Sequence, residues 1–89
     1  MRKLIINKRY RRDLKLARKR GKDEKNLNII IDGLQAGHQL APKHRPHLLT
    51  GDWRGCWECH VEPDLLLIYD LTEDALELIR LGTHSDLFG

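Results

Sequence analysis

Residues 56–71 read CWECHVEPDLLLIYDL, and the period of this stretch decides the fold. From Cys56 to Glu62 the residues alternate. Positions 56, 58, 60 and 62 therefore share one side of an extended strand, and 57, 59 and 61 the other. The first side carries Glu58, His60 and Glu62; the second carries Trp57, Cys59 and Val61, a core composition. Pro63-Asp64 marks a turn. Leu65 to Leu71 is then almost continuously apolar, as expected of a strand covered on both faces.

Working outward keeps the same logic. Thr72-Glu73-Asp74 is another turn, Ala75 to Leu81 a last strand, and Gly82 a break before a short flexible tail from Thr83. Upstream, Gly51-Asp52 and Arg54-Gly55 are turn signals, and His38 to Pro46 is a loop marked by Pro42 and Pro46. Earlier still the period changes to that of helices. Tyr10, Leu14 and Ala17 give one narrow apolar stripe between Lys8 and Arg20, with Gly21 as the stop. Asp23 caps a second helix through about Ala36, whose buried set is Leu27, Ile30, Ile31 and Leu34, with Gly37 ending it. Lys3 to Asn7 reads as a first strand. The order predicts an α+β domain spanning residues 1–89. It has an N-terminal strand, a helical hairpin, then three to four antiparallel strands in a twisted sheet with the helices on one face.

Charge is distributed unevenly. The net is +3 over 89 residues, but residues 1–25 hold twelve Lys/Arg against Asp13, Asp23 and Glu24, whereas residues 26–89 are net acidic. A basic N-terminal part suits an anionic partner, nucleic acid or an acidic protein segment, although a solvated helix face has the same composition. No stretch approaches the roughly 20 apolar residues of a membrane span. The only apolar run near the start, Leu4-Ile5-Ile6, is too short for a signal-peptide core. These features predict a cytoplasmic protein without membrane contact; a basic run is also compatible with nuclear import.

All five histidines, His38, His44, His47, His60 and His84, lie beyond the helical hairpin. His38 and His44 fall in the loop and are set aside. Glu58 and His60, two residues apart on one strand face, suit general acid–base work; an ordinary solvent-facing strand side looks the same. Cys56-Trp57-Glu58-Cys59-His60 matches the pattern of haem attachment, but on a strand the two thiols point to opposite faces. That parity also disfavours a redox pair or a zinc half-site, so no cofactor is expected.

Several segments together resemble the YafQ branch of the RelE/ParE toxin superfamily. They are His47-Leu-Leu-Thr-Gly-Asp-Trp-Arg-Gly, Glu58-Cys-His60-Val-Glu-Pro-Asp64, Leu-Ile-Tyr, and Arg80-Leu-Gly-Thr-His84-Ser-Asp-Leu-Phe88-Gly. The resemblance spans essentially the whole chain. It implies a ribosome-dependent endoribonuclease that cleaves mRNA without metal and arrests translation. A cognate antitoxin would neutralise it, and operator DNA would be met only through that complex. Carried over, the catalytic group is His47, His60, Asp64, His84 and Phe88. Glu58 stands where the branch often has Asp.

In this reading His84 is the general acid for the leaving 5′-oxygen. His60 or His47 acts as base or stabilises phosphate charge, oriented by Asp64 or Glu58. Arg80 stabilises transition-state charge or forms an ion pair with a strand carboxylate. Phe88 stacks on a base or plugs the sheet. Arg11, Arg12, Lys15, Arg18 and Lys19 contact ribosomal RNA. Three competing readings remain: a zinc or manganese site built from the same histidines and carboxylates, a ParE-like non-enzymatic gyrase inhibitor, and a basic nucleic-acid-binding module.

Overall fold

The computed structural model describes all residues from Met1 to Gly89. Strand β1 (Lys3–Ile6) leads into helix α1 (Lys8–Lys19) and helix α2 (Lys25–Gln35), followed by strands β2 (His47–Leu48), β3 (Trp57–Glu62), β4 (Leu65–Leu71) and β5 (Ala75–Gly82), and a terminal helix α3 (His84–Phe88). Short 3-10 turns at Pro42–His44 and Gly51–Trp53 flank β2. The sheet order is β1-β5-β4-β3-β2. The pairs from β2 to β5 are antiparallel, whereas β1 lies parallel to β5. The parallel edge follows from the route: the helical hairpin separates β1 from the meander and returns the chain to the opposite side of the sheet.

Local chemistry sets the helix limits. The Asn7 side chain accepts from the Arg9 N–H at 2.8 Å, capping α1. At its other end Gly21 adopts φ +76, and the Gly21 and Lys22 N–H groups donate back to Arg18 and Ala17 carbonyls. Gly37 (φ +85) and His38 close α2 in the same way, onto Leu34 and Gly33. Both are Schellman stops, for which a left-handed residue without Cβ is the low-cost choice. Asp23 does serve the start of α2, accepting from the Lys25 N–H at 2.9 Å. Glu24 occupies the cap position itself and pairs with Arg18.

The main core lies between the helices and the sheet. Leu27, Ile30, Ile31 and Leu34 of α2, with Tyr10 and Ala17 of α1, pack on Cys59, Val61, Leu67, Tyr69, Leu76, Leu78 and Leu81. Burial pushes the Cys59 thiol and the Tyr10 hydroxyl up to about 12. Residues Leu65 to Tyr69 of β4 are buried without interruption, matching the period of the sequence. What covers their second face is the main departure. Leu66, Ile68 and Leu87 form a smaller apolar cluster, flanked by Leu49, Trp53, Cys56 and Ile79. The face read as exposed from residues 56–62 is therefore partly roofed by α3 and by the turn preceding β3. Cys56 and Cys59 lie on opposite faces.

Two irregularities sit beside candidate site residues. The β3–β4 register shifts between His60 and Glu62, and the β4–β5 register shifts between Ile68 and Tyr69, opposite Ile79 and Arg80. Such bulges bend a strand and re-aim its side chains.

Candidate active site

The roofed face of the sheet gathers most of the predicted residues. His47 of β2 pairs directly with Glu58 of β3 across the strands. Glu58 is only 6% exposed, against the expectation of a solvent-facing carboxylate. Its Oε1 lies 3.3 Å from His47 Nε2. The other ring nitrogen of His47, Nδ1, lies 3.0 Å from the Arg45 carbonyl. A carbonyl only accepts, so Nδ1 carries a proton. Nε2 lies within ion-pair distance of the Glu58 carboxylate, though the two make no hydrogen bond. This arrangement can give up or take a proton.

His60 is half-buried two residues further along β3, opposite Leu66. Glu58 is opposite Ile68. Leu66 and Ile68 are the residues on which Leu87 of α3 rests. One apolar anchor thus brings α3, with His84 and Phe88, to the face that bears His47, Glu58 and His60. His84 and Phe88 are exposed, one helical turn apart, with ring centroids 5.0 Å from each other. Asp64 is exposed in the β3–β4 turn and makes no ion pair.

The terminal segment is not the flexible turn expected after Gly82. The Thr83 hydroxyl accepts from the Asp86 N–H at 3.1 Å, while Asp86 accepts from the Thr83 N–H at 2.9 Å, a complete capping box. Asp86 also binds Arg20 at 2.7 Å, tying α3 to the end of α1. A Cβ at Gly82 would come within 2.9 Å of Asp86 Cβ, so glycine is required for this approach. The Arg20 guanidinium, then Thr83, hold the Asp86 carboxyl well below the usual carboxylate range. A depressed carboxyl stabilises the fold above its unfolded value, near pH 4, and that stabilisation fades only as pH falls through the folded value. NOEs from the Leu87 methyls to Leu66 and Ile68 are therefore expected to persist from pH 8 to pH 5. Their loss in that window would show that α3 is not anchored this way.

Arg80 takes the second of its two predicted forms, with a different carboxylate. Its Nε and terminal nitrogen donate to Asp13 of α1 at 2.7 and 3.2 Å, and the Leu81 N–H donates to the same carboxylate at 3.0 Å. Asp13 takes over where β1, paired with β5 only as far as Leu78, leaves that edge open. Asp13 interrupts the apolar stripe of α1, three residues after Tyr10 and four before Ala17, a spacing that puts it on the inward face but does not name its partner. His44, set aside as a loop residue, is 9% exposed and donates through Nδ1 to the His60 carbonyl at 2.7 Å. It ties the 42–46 loop to β3. No sequence pattern marked it.

On α1, Arg11, Arg12, Lys15 and Lys19 are exposed and have no carboxylate partner, whereas Arg18 is held bidentately by Glu24. No three His, Cys, Asp or Glu side chains converge on a position that could hold a metal ion.

Residues 2–89 match the family described as the bacterial toxin of type II toxin–antitoxin systems, YafQ. The chain belongs to the YafQ toxin family. The mRNA interferase toxin YafQ of Escherichia coli K12 is 43% identical over 81 residues, covering 90% of this chain and 88% of that one. YafQ toxin in the E. coli DinJ–YafQ toxin–antitoxin complex superposes with a TM-score of 0.92 at 40% identity, over 99% of this chain and 98% of that one. A metal-bound toxin from Helicobacter pylori gives a TM-score of 0.91 at 41% identity, over 99% and 100% of the two chains. The chain accordingly shares the fold of these YafQ-family structures over essentially its whole length.

Proposed function

We propose that this YafQ-family toxin is an endoribonuclease that cuts mRNA on the ribosome by proton transfer between side chains. The observation that supports this reading is that His47, Glu58 and His60 lie on the side of the sheet over which Leu87 anchors α3, the helix bearing His84 and Phe88. Cleavage without a metal needs a base for the 2′-hydroxyl proton and an acid for the leaving 5′-oxygen. His84, exposed and held on a capped helix, is the acid. His60 or the His47–Glu58 dyad takes the 2′-hydroxyl proton. Phe88 stacks on a base beside the cut, and Glu58 is the carboxylate that sits beside an imidazole, that of His47, whereas Asp64 reaches none. Arg80 is committed to Asp13 and ties β5 to α1 rather than meeting the phosphate.

The histidine set favours this chemistry over ParE-like gyrase inhibition, which needs no acid–base pair. The imidazoles of this face can fill both proton-transfer roles, which supports a metal-free reaction. Because an H. pylori relative is metal-bound, cleavage should be followed with a transition-metal chelator present at fixed magnesium. The chain acts in the cytoplasm, where translating ribosomes are. A cognate antitoxin neutralises it, as DinJ pairs with YafQ in E. coli, and operator DNA is reached only through that complex.

Ribosome dependence is tested by comparing two mRNAs that differ in the start codon alone. The translated one is cut and the untranslated one stays intact; equal cutting would remove the ribosome from the mechanism. The exposed cations of α1 contact ribosomal RNA. Changing Arg11, Arg12 and Lys15 together to Gln is expected to weaken ribosome binding and lower its salt slope by about 1 for each phosphate no longer neutralised. An unchanged slope would take α1 out of that surface.

A further inference from the structure

Beside the acid–base face, β3 runs on past the end of two-residue β2, and its free edge forms one wall of a cleft of about 450 Å3. That volume lies within the range of small-ligand sites. His60 and Glu62 line the β3 side; Lys43, His44 and Arg45 line the other, with Asn26 of α2 closing the end. Lys43 and Arg45 are exposed, neither has a carboxylate partner, and Glu62 is the sole acid in the lining.

The loop bearing these cations is held rather than free. Pro42 and Pro46 bracket it, and buried His44 is bonded to the His60 carbonyl. Arg45 has φ +46 and is the only non-glycine residue in the left-handed region. Such a conformation has an energetic cost and persists where the surroundings enforce it. Here it turns the Arg45 carbonyl to His47 Nδ1 while its side chain lines the cleft with His60. Meanwhile the arginine of β5 is occupied by Asp13.

We infer that this cleft is a subsite for the RNA backbone, in which Lys43 and Arg45 bind a phosphodiester flanking the bond that is cut. The inference rests on the ribonuclease reading above. Two unpaired cations on a strained, pre-set loop suit an anion of fixed position, and the shared wall with His60 places that anion next to the reacting face. An acidic protein segment is the competing occupant. It has no reason to require a cleft that opens onto His60.

The test uses the full chain and its Lys43→Gln/Arg45→Gln and Arg45→Lys variants. Affinity for a short 2′-O-methyl RNA is read by fluorescence anisotropy over a salt series, and KM and kcat are read for cleavage of translated mRNA. The double variant is expected to bind RNA about tenfold more weakly, raise KM more than it lowers kcat, and lose about 0.7 of salt slope for each cation removed. Arg45→Lys should recover most of the affinity. Wild type that cleaves mRNA while its RNA affinity matches that of the double variant, or fails to bind the oligonucleotide, overturns the subsite alone, whether or not antitoxin binding falls. Wild type that cleaves nothing overturns the ribonuclease reading beneath it.

Discussion

Replacing His84 by Ala is expected to lower the rate of mRNA cleavage by about 10²–10⁴-fold, the usual worth of a positioned general acid. Folding should change little, because exposed side chains away from caps and cores contribute within about 0.5 kcal/mol. His84 fits that description: it is exposed and makes no side-chain hydrogen bond, and its ring centroid lies 5.0 Å from that of Phe88. Everything that fixes α3 lies in other residues, namely the Thr83–Asp86 box, the Arg20 pair and buried Leu87. The variant therefore separates chemistry from scaffold. Loss of growth arrest with an unchanged melting temperature supports the assignment. Retained toxicity would move the proton donor elsewhere, and a large stability loss would make His84 structural.

The second large effect falls on stability. Asp13→Ala is expected to cost about 3 kcal/mol or more, since removing one partner of a largely buried pair leaves an uncompensated charge. Both side chains are well shielded, at 16% exposure for Arg80 and 14% for Asp13. The carboxylate also satisfies the Leu81 N–H, just before the Gly82 turn that leads to α3. Asp13→Asn should cost less, because an amide oxygen can still accept from that N–H. Adding Arg80→Met to Asp13→Ala should recover part of the loss, and the double-mutant cycle would give the coupling between the two side chains. A loss below about 0.5 kcal/mol for Asp13→Ala would show the pair to be no stronger than an ordinary surface bridge.

These two residues also mark how far the sequence could be read. Periodicity placed both long helices and strands β3 to β5 because burial leaves its mark in local order, whereas two-residue β2 has no period to read. The buried run Leu65 to Tyr69 announced a strand with two covered faces. The alternation from Cys56 assigned Cys59 to the core and Glu58 to the other side. What covers that other side was not visible. Leu87 reaches Leu66 and Ile68 only in three dimensions, and a single leucine in a short tail has no period. The same limit hid His44, whose bond to the His60 carbonyl joins residues sixteen apart. It also hid the carboxylate that binds Arg80, because nothing local links Asp13 to a residue 67 positions away. The capping box at Thr83 and Asp86 was written in the sequence, but Gly82 drew attention as a break rather than as room for Asp86.

Glu58 illustrates the functional side of the same point. Parity alone gave it a neighbour in His60. The register of β2 gives it a partner in His47, with Arg45 holding the far side of that ring. The extra methylene relative to Asp is taken up across a strand pair, where the carboxylate still comes within 3.3 Å of the imidazole. The proposed site thus draws on β2, β3 and α3 rather than on a motif of one strand.

The chemical ends left on translated mRNA test the whole account most directly. Attack by the 2′-hydroxyl, with its proton taken on this face and a proton given to the 5′-oxygen by His84, leaves a 2′,3′-cyclic phosphate and a 5′-hydroxyl. Wild type should produce those ends at fixed magnesium with a transition-metal chelator present, and His84→Ala should produce almost none. Fragments bearing 3′-hydroxyl and 5′-phosphate ends, or cleavage abolished by the chelator, would contradict it.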